Sequence, residues 1–278
     1  MLDELAESGY TSTELGDWGY MPTDPVVLQT ELGKRDLVML GAFVQVALKD
    51  SNAHAAGVAR AVQTARLLAA VTGDPKPYVV LSDDNAADPI RTANAGHITA
   101  EMGLSGEQWN TFAAGAMKVA DAVLAETGLR TVFHHHCAGY VETPDEIARF
   151  LALTDPSRIG LVFDTGHYTF GSGHCAVVDG LNRFSDRVCY LHLKDCHPGI
   201  AQTARSQQWN YFEALRRGVF CELGAGCVDF PAVLPWLNDA CYTGFVLVEQ
   251  DVLPGMGSPQ ASALKNREYL RSIEWNYS

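Results

Sequence analysis

Several common catalytic signatures are missing from this sequence, and each absence removes a class of function. No Cys-x-x-Cys pair occurs among its seven cysteines, which argues against a structural zinc module or a thioredoxin-type motif. The same odd scatter suits a reducing cytosol better than a secreted disulfide scaffold. There is no Gly-x-Ser-x-Gly elbow for a serine nucleophile. No Gly-x-Gly-x-x-Gly follows a strand, which removes the simplest dinucleotide fold. The short run Gly224-Ala225-Gly226 could offer backbone N–H groups to a phosphate, yet it lacks P-loop spacing and the P-loop lysine. Basic residues are scarce: 20 Lys and Arg stand against 33 Asp and Glu, a formal charge of −13. With no basic run to offset it, nucleic acid and anionic membrane surfaces are poor partners. No apolar stretch approaches the ~20 residues of a membrane span. The acidic opening around Asp3 and Glu4 lacks the regions of a signal peptide. A soluble cytoplasmic protein is therefore expected.

What is present is an alternation of short apolar strands and helical patterns along 278 residues, 47% of them hydrophobic. Strands are expected at Thr11 to Leu15, Leu37 to Leu48, Tyr78 to Leu81, Arg130 to His136, Ile159 to Asp164, Val188 to Asp195 and Gly244 to Asp251. Helices carry their own start and stop signals. Asp24-Pro25 opens one that Gly33 closes, and Ser105 with Gln108 opens another that runs to Gly128. Thr143 with Glu146 forms a second capping box, Asp229 and Ser258-Pro259 open later helices, and Asn52 is a candidate cap. One helix is expected from Ala204 to Arg217, and Ser82 to Pro89 reads as polar loop. Strands separated by helices imply parallel pairing, because parallel strands need a crossover. No linker or low-complexity tract divides the chain, so one β/α domain over residues 1–278 is the simplest organisation. Seven strands are countable where a (β/α)8 barrel has eight. Either the first strand of the barrel is absent from this chain, or two strands are merged between Leu37 and Leu81.

The strand ends carry the chemistry. In β/α barrels the active site lies at the carboxyl ends of the strands. Here those ends bring His134, Asp164, His192 and Glu249, two imidazoles and two carboxylates suited to a divalent metal. His134 and His136 share one face of an extended segment, and His135 takes the other. His134 is the inward metal candidate, with His136 a substrate contact; hydrogen-bonded loop histidines are the plain alternative. Asp164 must be solvated, paired or ligated after four apolar residues, though an N-cap role would also satisfy it. His167, three residues on, joins the same loop. His192 and Lys194 are two apart and share a face; a desolvated Lys194 is a candidate acid or base, with an ion pair to Asp195 or Asp164 as alternative. Glu249 and Asp251 close the last strand, with an ion pair to Lys194 or Arg267 as the alternative to metal contact. Glu14 ends the first visible strand and is a candidate substrate contact beside Trp18 and Tyr20, although a surface loop accounts for it as well. Glu142 is assigned to the loop rather than to the metal.

The segments FHHHCAGYVETPDEI, LVFDTGH, YLHLKD, GAGCVDF and GFVLVEQD, in this order and spacing, resemble the xylose-isomerase-like barrel family. Within that family the HHH, DTGH and HLKD strands, and ELGDWGYMPTD, look most like its inosose-dehydratase branch. The resemblance runs from about Leu2 to Arg271. It implies a TIM barrel and a divalent metal held by four strand-end ligands. Asp164, His192 and Glu249 match three of these, and His134 stands where the family usually has Glu, as in that branch. An imidazole there favours Mn or Co, with Zn, Fe or Mg as alternatives. Relatives begin with a further strand, in line with the short strand count.

The expected activity is proton abstraction α to a carbonyl of a keto-cyclitol or keto-sugar, with metal assistance. Lys194, His167 and Glu249 are the catalytic candidates. Loss of a β-hydroxyl, as in dehydration of an inosose, is the favoured outcome. Isomerase or epimerase chemistry begins with the same step, and a non-catalytic sugar-binding barrel is the remaining alternative. The partner is a small molecule, and self-association into a homo-oligomer would cover the exposed strand edges.

Overall fold

The computed structural model describes residues 1–275. Nine strands occur among them: β1 (Ser12–Glu14), β2 (Val38–Val46), β3 (Tyr78–Asp83), β4 (Arg130–His134), β5 (Ile159–Asp164), β6 (Val188–Leu193), β7 (Asp195–Cys196), β8 (Phe220–Cys221) and β9 (Phe245–Val248). Seven of them form one sheet in the order β1-β2-β3-β4-β5-β6-β9, and β7 and β8 form a separate pair. The ladders β1–β2, β2–β3, β3–β4 and β6–β9 are parallel, whereas β7–β8 is antiparallel. Strands following chain order with helical crossovers make the α/β architecture expected from the sequence. Every residue of β5 is buried, as the continuous apolar run of a strand covered on both faces requires.

The chain divides into two compact units: residues 1–84, 104–134 and 149–161 form the first; residues 85–103, 135–148 and 162–278 form the second. The first holds β1 to β4 with α1 (Leu2–Glu7), α2 (Pro25–Gly33), α3 (His54–Val71) and α5 (Gly106–Thr127), the label α4 being kept for Pro89–Ala93. Asp24 caps α2 by accepting from the Val27 amide at 3.0 Å, and Ser105 and Gln108 close a reciprocal box on α5. Gly128, at φ 69°, ends α5 where a side chain would strain. Asn52 does not cap α3. The preceding residue is Ala53, with no side-chain bond, and the buried His54 ring meets the Leu48 carbonyl at 2.8 Å instead. Close approach fixes the neighbours: a Cβ on Gly115 of α5 would lie 2.5 Å from His54 Nε2, and one on Gly57 of α3 would collide with Val46. Phe112, Phe133 and Phe150 fill this unit's core, with ring centroids 4.1 to 6.1 Å apart. Each buried phenyl contributes about 2–3 kcal/mol of transfer free energy.

The second unit carries α4, α7 (Thr165–Ser172), α8 (Val177–Phe184), α9 (Pro198–Ser206), α10 (Tyr211–Arg216), α11 (Phe230–Asp239) and α12 (Pro259–Ser272); α6 (Pro144–Ala152) and β5 run through the division. The Thr143–Glu146 box, the Asp229 cap and the Ser258 cap form as expected. Three expectations need correction. The span Ala204 to Arg217 is two helices rather than one: Gln208 adopts φ 54°, and Asn210 starts α10 by capping Glu213 at 2.9 Å. The segment Ser82 to Pro89 is not all loop, since β3 runs on to Asp83, and Asp88-Pro89 opens α4 by the cap-then-proline rule. Finally, two of the cysteines are joined: Cys175 and Cys227, 52 residues apart, form a disulfide with Cα atoms 6.1 Å apart. The other five are free. Spacing in the sequence could not show that pair, because the two loops meet only in the fold.

Candidate active site

Strand β5 ends at Asp164, which is fully buried. Its Oδ1 accepts from the His167 amide at 2.7 Å and caps α7, while Oδ2 lies 3.9 Å from His192 Nδ1. One oxygen thus does the capping that the turn chemistry suggested, and the other faces the histidine of the next strand. His192, near the end of β6, stands 2.7 Å from Glu249 Oε2. Two residues on, Lys194 is 1% exposed. Its Nζ bonds Glu249 Oε1 at 2.8 Å and Asp251 Oδ2 at 3.0 Å, and lies 3.3 Å from His167 Nε2. The ammonium also sits 4.7 Å over the Phe220 ring. Burial pulls the Lys194 pKa down, but Asp251, Glu249 and Asp164 outweigh it and hold the group well above its ordinary value. The flanking carboxylates thus favour the charged form of Lys194. Of the sequence alternatives for its partner, neither Asp195 nor Asp164 takes its short ion pair; Glu249 and Asp251 do.

The lysine is held from both ends. Thr165 Oγ1 donates to the Lys194 carbonyl at 2.6 Å and lies 3.0 Å from its amide. Its stem runs over the first turn of α7 at Gly166, where a Cβ would come within 2.5 Å of Lys194 Cγ. Only glycine leaves room for that crossing.

β4 ends at His134, which is buried and makes an edge contact with Phe43 at 5.9 Å. One ligand atom from each of His134, Asp164, His192 and Glu249 lies within 4.8 Å of the others. Strand alternation does not carry on to His136, because the strand has already stopped. His135 accepts from the Asp164 amide at 3.2 Å and packs against Phe163 and Tyr168, a structural role. The His136 ring lies 3.8 Å from that of His167 and 5.6 Å from that of Tyr211. The His167 and Tyr211 rings are stacked at 6.5 Å. Tyr211 is buried, and burial first, then Asp251, raises its hydroxyl well above the ordinary phenol value. Sequence reasoning passed over Tyr211, which opens a short helix whose buried face is Tyr211, Ala214 and Leu215. The i, i+3, i+4 spacing of those three and the Asn210 cap just before them were the available signals.

Other candidates fall elsewhere. Glu14 ends β1 in the first unit, half-buried and facing Gly41, with its Oε1 3.3 Å from where a Cβ would stand. Trp18 and Tyr20 are 41% and 66% exposed, so no closed apolar wall forms from them. Glu142 belongs to a loop clamp, as expected: its carboxylate accepts from the Gly96 amide at 2.7 Å and the Ala138 amide at 2.8 Å. The Gly-rich loop holds an anion of its own. Gly224 and Gly226 donate to Asp195 Oδ2, each at 2.9 Å, and Val228 donates to Oδ1 at 3.0 Å. A buried carboxylate fills the place that a phosphate would take.

The xylose isomerase-like TIM barrel family model matches residues 2–273. An inosose dehydratase of Geobacillus kaustophilus (strain HTA426) is 30% identical over 274 residues, covering 97% of this chain and 85% of that protein. One from Clostridium beijerinckii is 26% identical over 283 residues, covering 97% and 87%. Among solved structures, the IOLI protein with a binding zinc atom superposes with a TM-score of 0.71 at 15% identity, covering 100% of this chain and 93% of that one. The probable 3-DHS dehydratase AsbF of Bacillus anthracis gives 0.69 at 13% identity, covering 97% and 92%. Those structural likenesses concern the fold; the sequence matches carry the lineage. The chain belongs to the xylose isomerase-like TIM barrel family.

Proposed function

We propose that the protein is a divalent-metal-dependent carbon–oxygen lyase that dehydrates a keto-cyclitol of the inosose type, and that the whole chain acts as one catalytic domain. The observation that carries the reading is the convergence of Asp164, His192, Glu249 and Lys194, set beside whole-length similarity to inosose dehydratases. The donor set fits a metal: two neutral imidazoles and two carboxylates suit Mn or Co before Mg, with Zn and Fe also accommodated. His134, Asp164, His192 and Glu249 would hold the ion. When bound, a divalent cation there supplies Lewis acidity toward the substrate carbonyl and stabilises negative charge on its oxygen.

The chain's own groups divide the proton work. Glu249, placed between His192 and Lys194, is the carboxylate that takes the proton α to the carbonyl. Lys194 keeps its charge because two carboxylates flank it, and it donates to the departing β-hydroxyl, with His167 behind it to return a proton. The rings of His136 and Tyr211 form an aromatic wall against which the flat face of a cyclitol packs. Burial of Lys194 and Asp164 keeps bulk water from competing for these protons.

The test is anaerobic turnover of 2-keto-myo-inositol with added Mn or Co, followed by absorbance of the unsaturated or dione product. Metal-dependent product from the wild type, and loss of it in Lys194→Met with metal content retained, is the expected result. A metal-loaded protein that leaves this substrate unchanged would sink the reading.

A further inference from the structure

The disulfide and the cleft beside it carry an inference of their own. Cys175 is exposed, in the connection between α7 and α8, and Cys227 is half-buried at the end of the Gly-rich loop. Both line a cleft of about 330 Å³ that also takes in His174, Gln202, Arg205 and the free Cys196. A disulfide with one exposed cysteine and a cavity lined by both is a candidate for attack by a thiolate. The wall offers an Arg205 guanidinium and a His174 imidazole, and no carboxylate belongs to it. Arg205 is fixed there by bonds to the Gly96 and Phe170 carbonyls at 2.8 and 2.9 Å.

The bond also sits close to the lysine's support. The Cys227 amide donates to the Cys196 carbonyl at 3.0 Å. The amides on either side, Gly224, Gly226 and Val228, grip the carboxylate of Asp195, the residue next to Lys194. The disulfide thus anchors the loop that holds Asp195.

We propose that Cys175–Cys227 is a thiol–disulfide exchange site for a small carboxylate-bearing thiol, and that opening it loosens the loop that braces Lys194. The thiolate attacks Cys175 Sγ, a mixed disulfide forms there, the Cys175–Cys227 bond breaks, and Cys227 leaves as a thiolate that takes up a proton. A second thiol molecule then attacks the mixed disulfide, frees Cys175 as a thiol and departs as its own disulfide. Two electrons pass from the two small thiols to the protein. Neither of the other nearby thiols competes as an internal attacker, because burial pushes both Cys196 and Cys221 up to about 12. The effect on Lys194 rests on the dehydratase reading; the exchange itself does not.

The experiment has three readouts on the intact protein. Thiol titration under denaturing conditions should find five thiols before a reductant is added and seven after, as one bridge among seven cysteines requires. Seven at the start would overturn the proposal. Incubation with glutathione should give a single adduct at Cys175 by peptide mass, forming roughly threefold faster than with cysteamine, a cationic thiol. Equal rates, or an adduct on another cysteine, would overturn the assignment of the site. Reduction should speed amide exchange at residues 223–228 by roughly tenfold while strand β5 stays protected. Unchanged exchange in that loop would overturn the coupling whether or not the protein turns over an inosose. The Cys175→Ser and Cys227→Ser variants should each show the fast-exchanging loop without any thiol added.

Discussion

Single side chains in this protein do work that their residue types alone would not announce. Glu142 is fully buried, and burial pushes its carboxyl up to about 7 from 4.5, against Arg91 and the Gly96 and Ala138 amides that pull it down. The sign of the linkage follows. A carboxyl whose folded pKa exceeds its unfolded one binds more protons in the native state, so its contribution is complete below pH 4.5 and disappears as pH rises through 7. The amount is about 3 kcal/mol. Urea denaturation of the wild type and of Glu142→Gln, at pH 5 and pH 8, checks this. Their stability difference should shift by that amount in favour of the variant at the higher pH, and a constant difference would refute it. The sequence placed Glu142 correctly in a loop but could not show its burial, since the amides it serves come from residues 96 and 138. By contrast, Asp164, His192 and Glu249 were legible, because an ionisable residue at the end of an apolar strand must find a charge, a metal or water to meet it. Lys194 was legible as buried but not as to partners: those are set by where Asp251 falls beyond β9.

At the scale of elements, capping chemistry was the most readable layer. Asp24, Ser105, Thr143, Asp229 and Ser258 all start helices because a side-chain oxygen must meet amides that have no partner within the helix. Local signals failed where tertiary contacts decide. α3 starts without the expected Asn52 cap, with the buried His54 ring turned to the Leu48 carbonyl, and the helix expected from Ala204 breaks at Gln208, where φ is 54°. The Gly-rich loop is the clearest case. Its glycines let backbone amides gather around an anion, and the anion is Asp195, supplied by β7. Asp195→Asn would replace one of the two acceptor oxygens with an NH2 group that itself donates, facing N–H groups that already donate. A loss of about 2–3 kcal/mol is expected. A lower urea midpoint with unchanged slope is the measurement, and an unmoved midpoint would show that the loop holds itself.

For the molecule as a whole, the α/β architecture with parallel pairing came from hydrophobic patterning, since parallel neighbours need a crossover that a helix usually supplies. No described helix is long and apolar enough to cross a membrane. The proposed ligand set also makes a claim about global stability. A group that binds only the folded chain stabilises it by mass action, by about 2.7 kcal/mol at a hundred times its dissociation constant. Thermal unfolding should therefore rise with added Mn or Co and return to the apo value with chelator. In Asp164→Ala the rise should vanish. A wild type whose melting ignores every divalent metal would count against the whole ligand assignment.

Arg91 and Glu146 form a bond of another kind. Arg91 is completely buried, and both of its terminal nitrogens meet Glu146 at 2.8 Å while Nε meets the Gly139 carbonyl. Glu146 Oε2 also accepts from the Glu142 and Thr143 amides at the start of α6. Removing either partner strands a charge in the interior at a cost of about 3–5 kcal/mol, whereas replacing both by apolar groups of similar volume can be neutral. Descent with modification then meets a valley between two acceptable pairs. Positions 91 and 146 are expected to drift together or not at all, so the history of this lineage should show them as one inherited character.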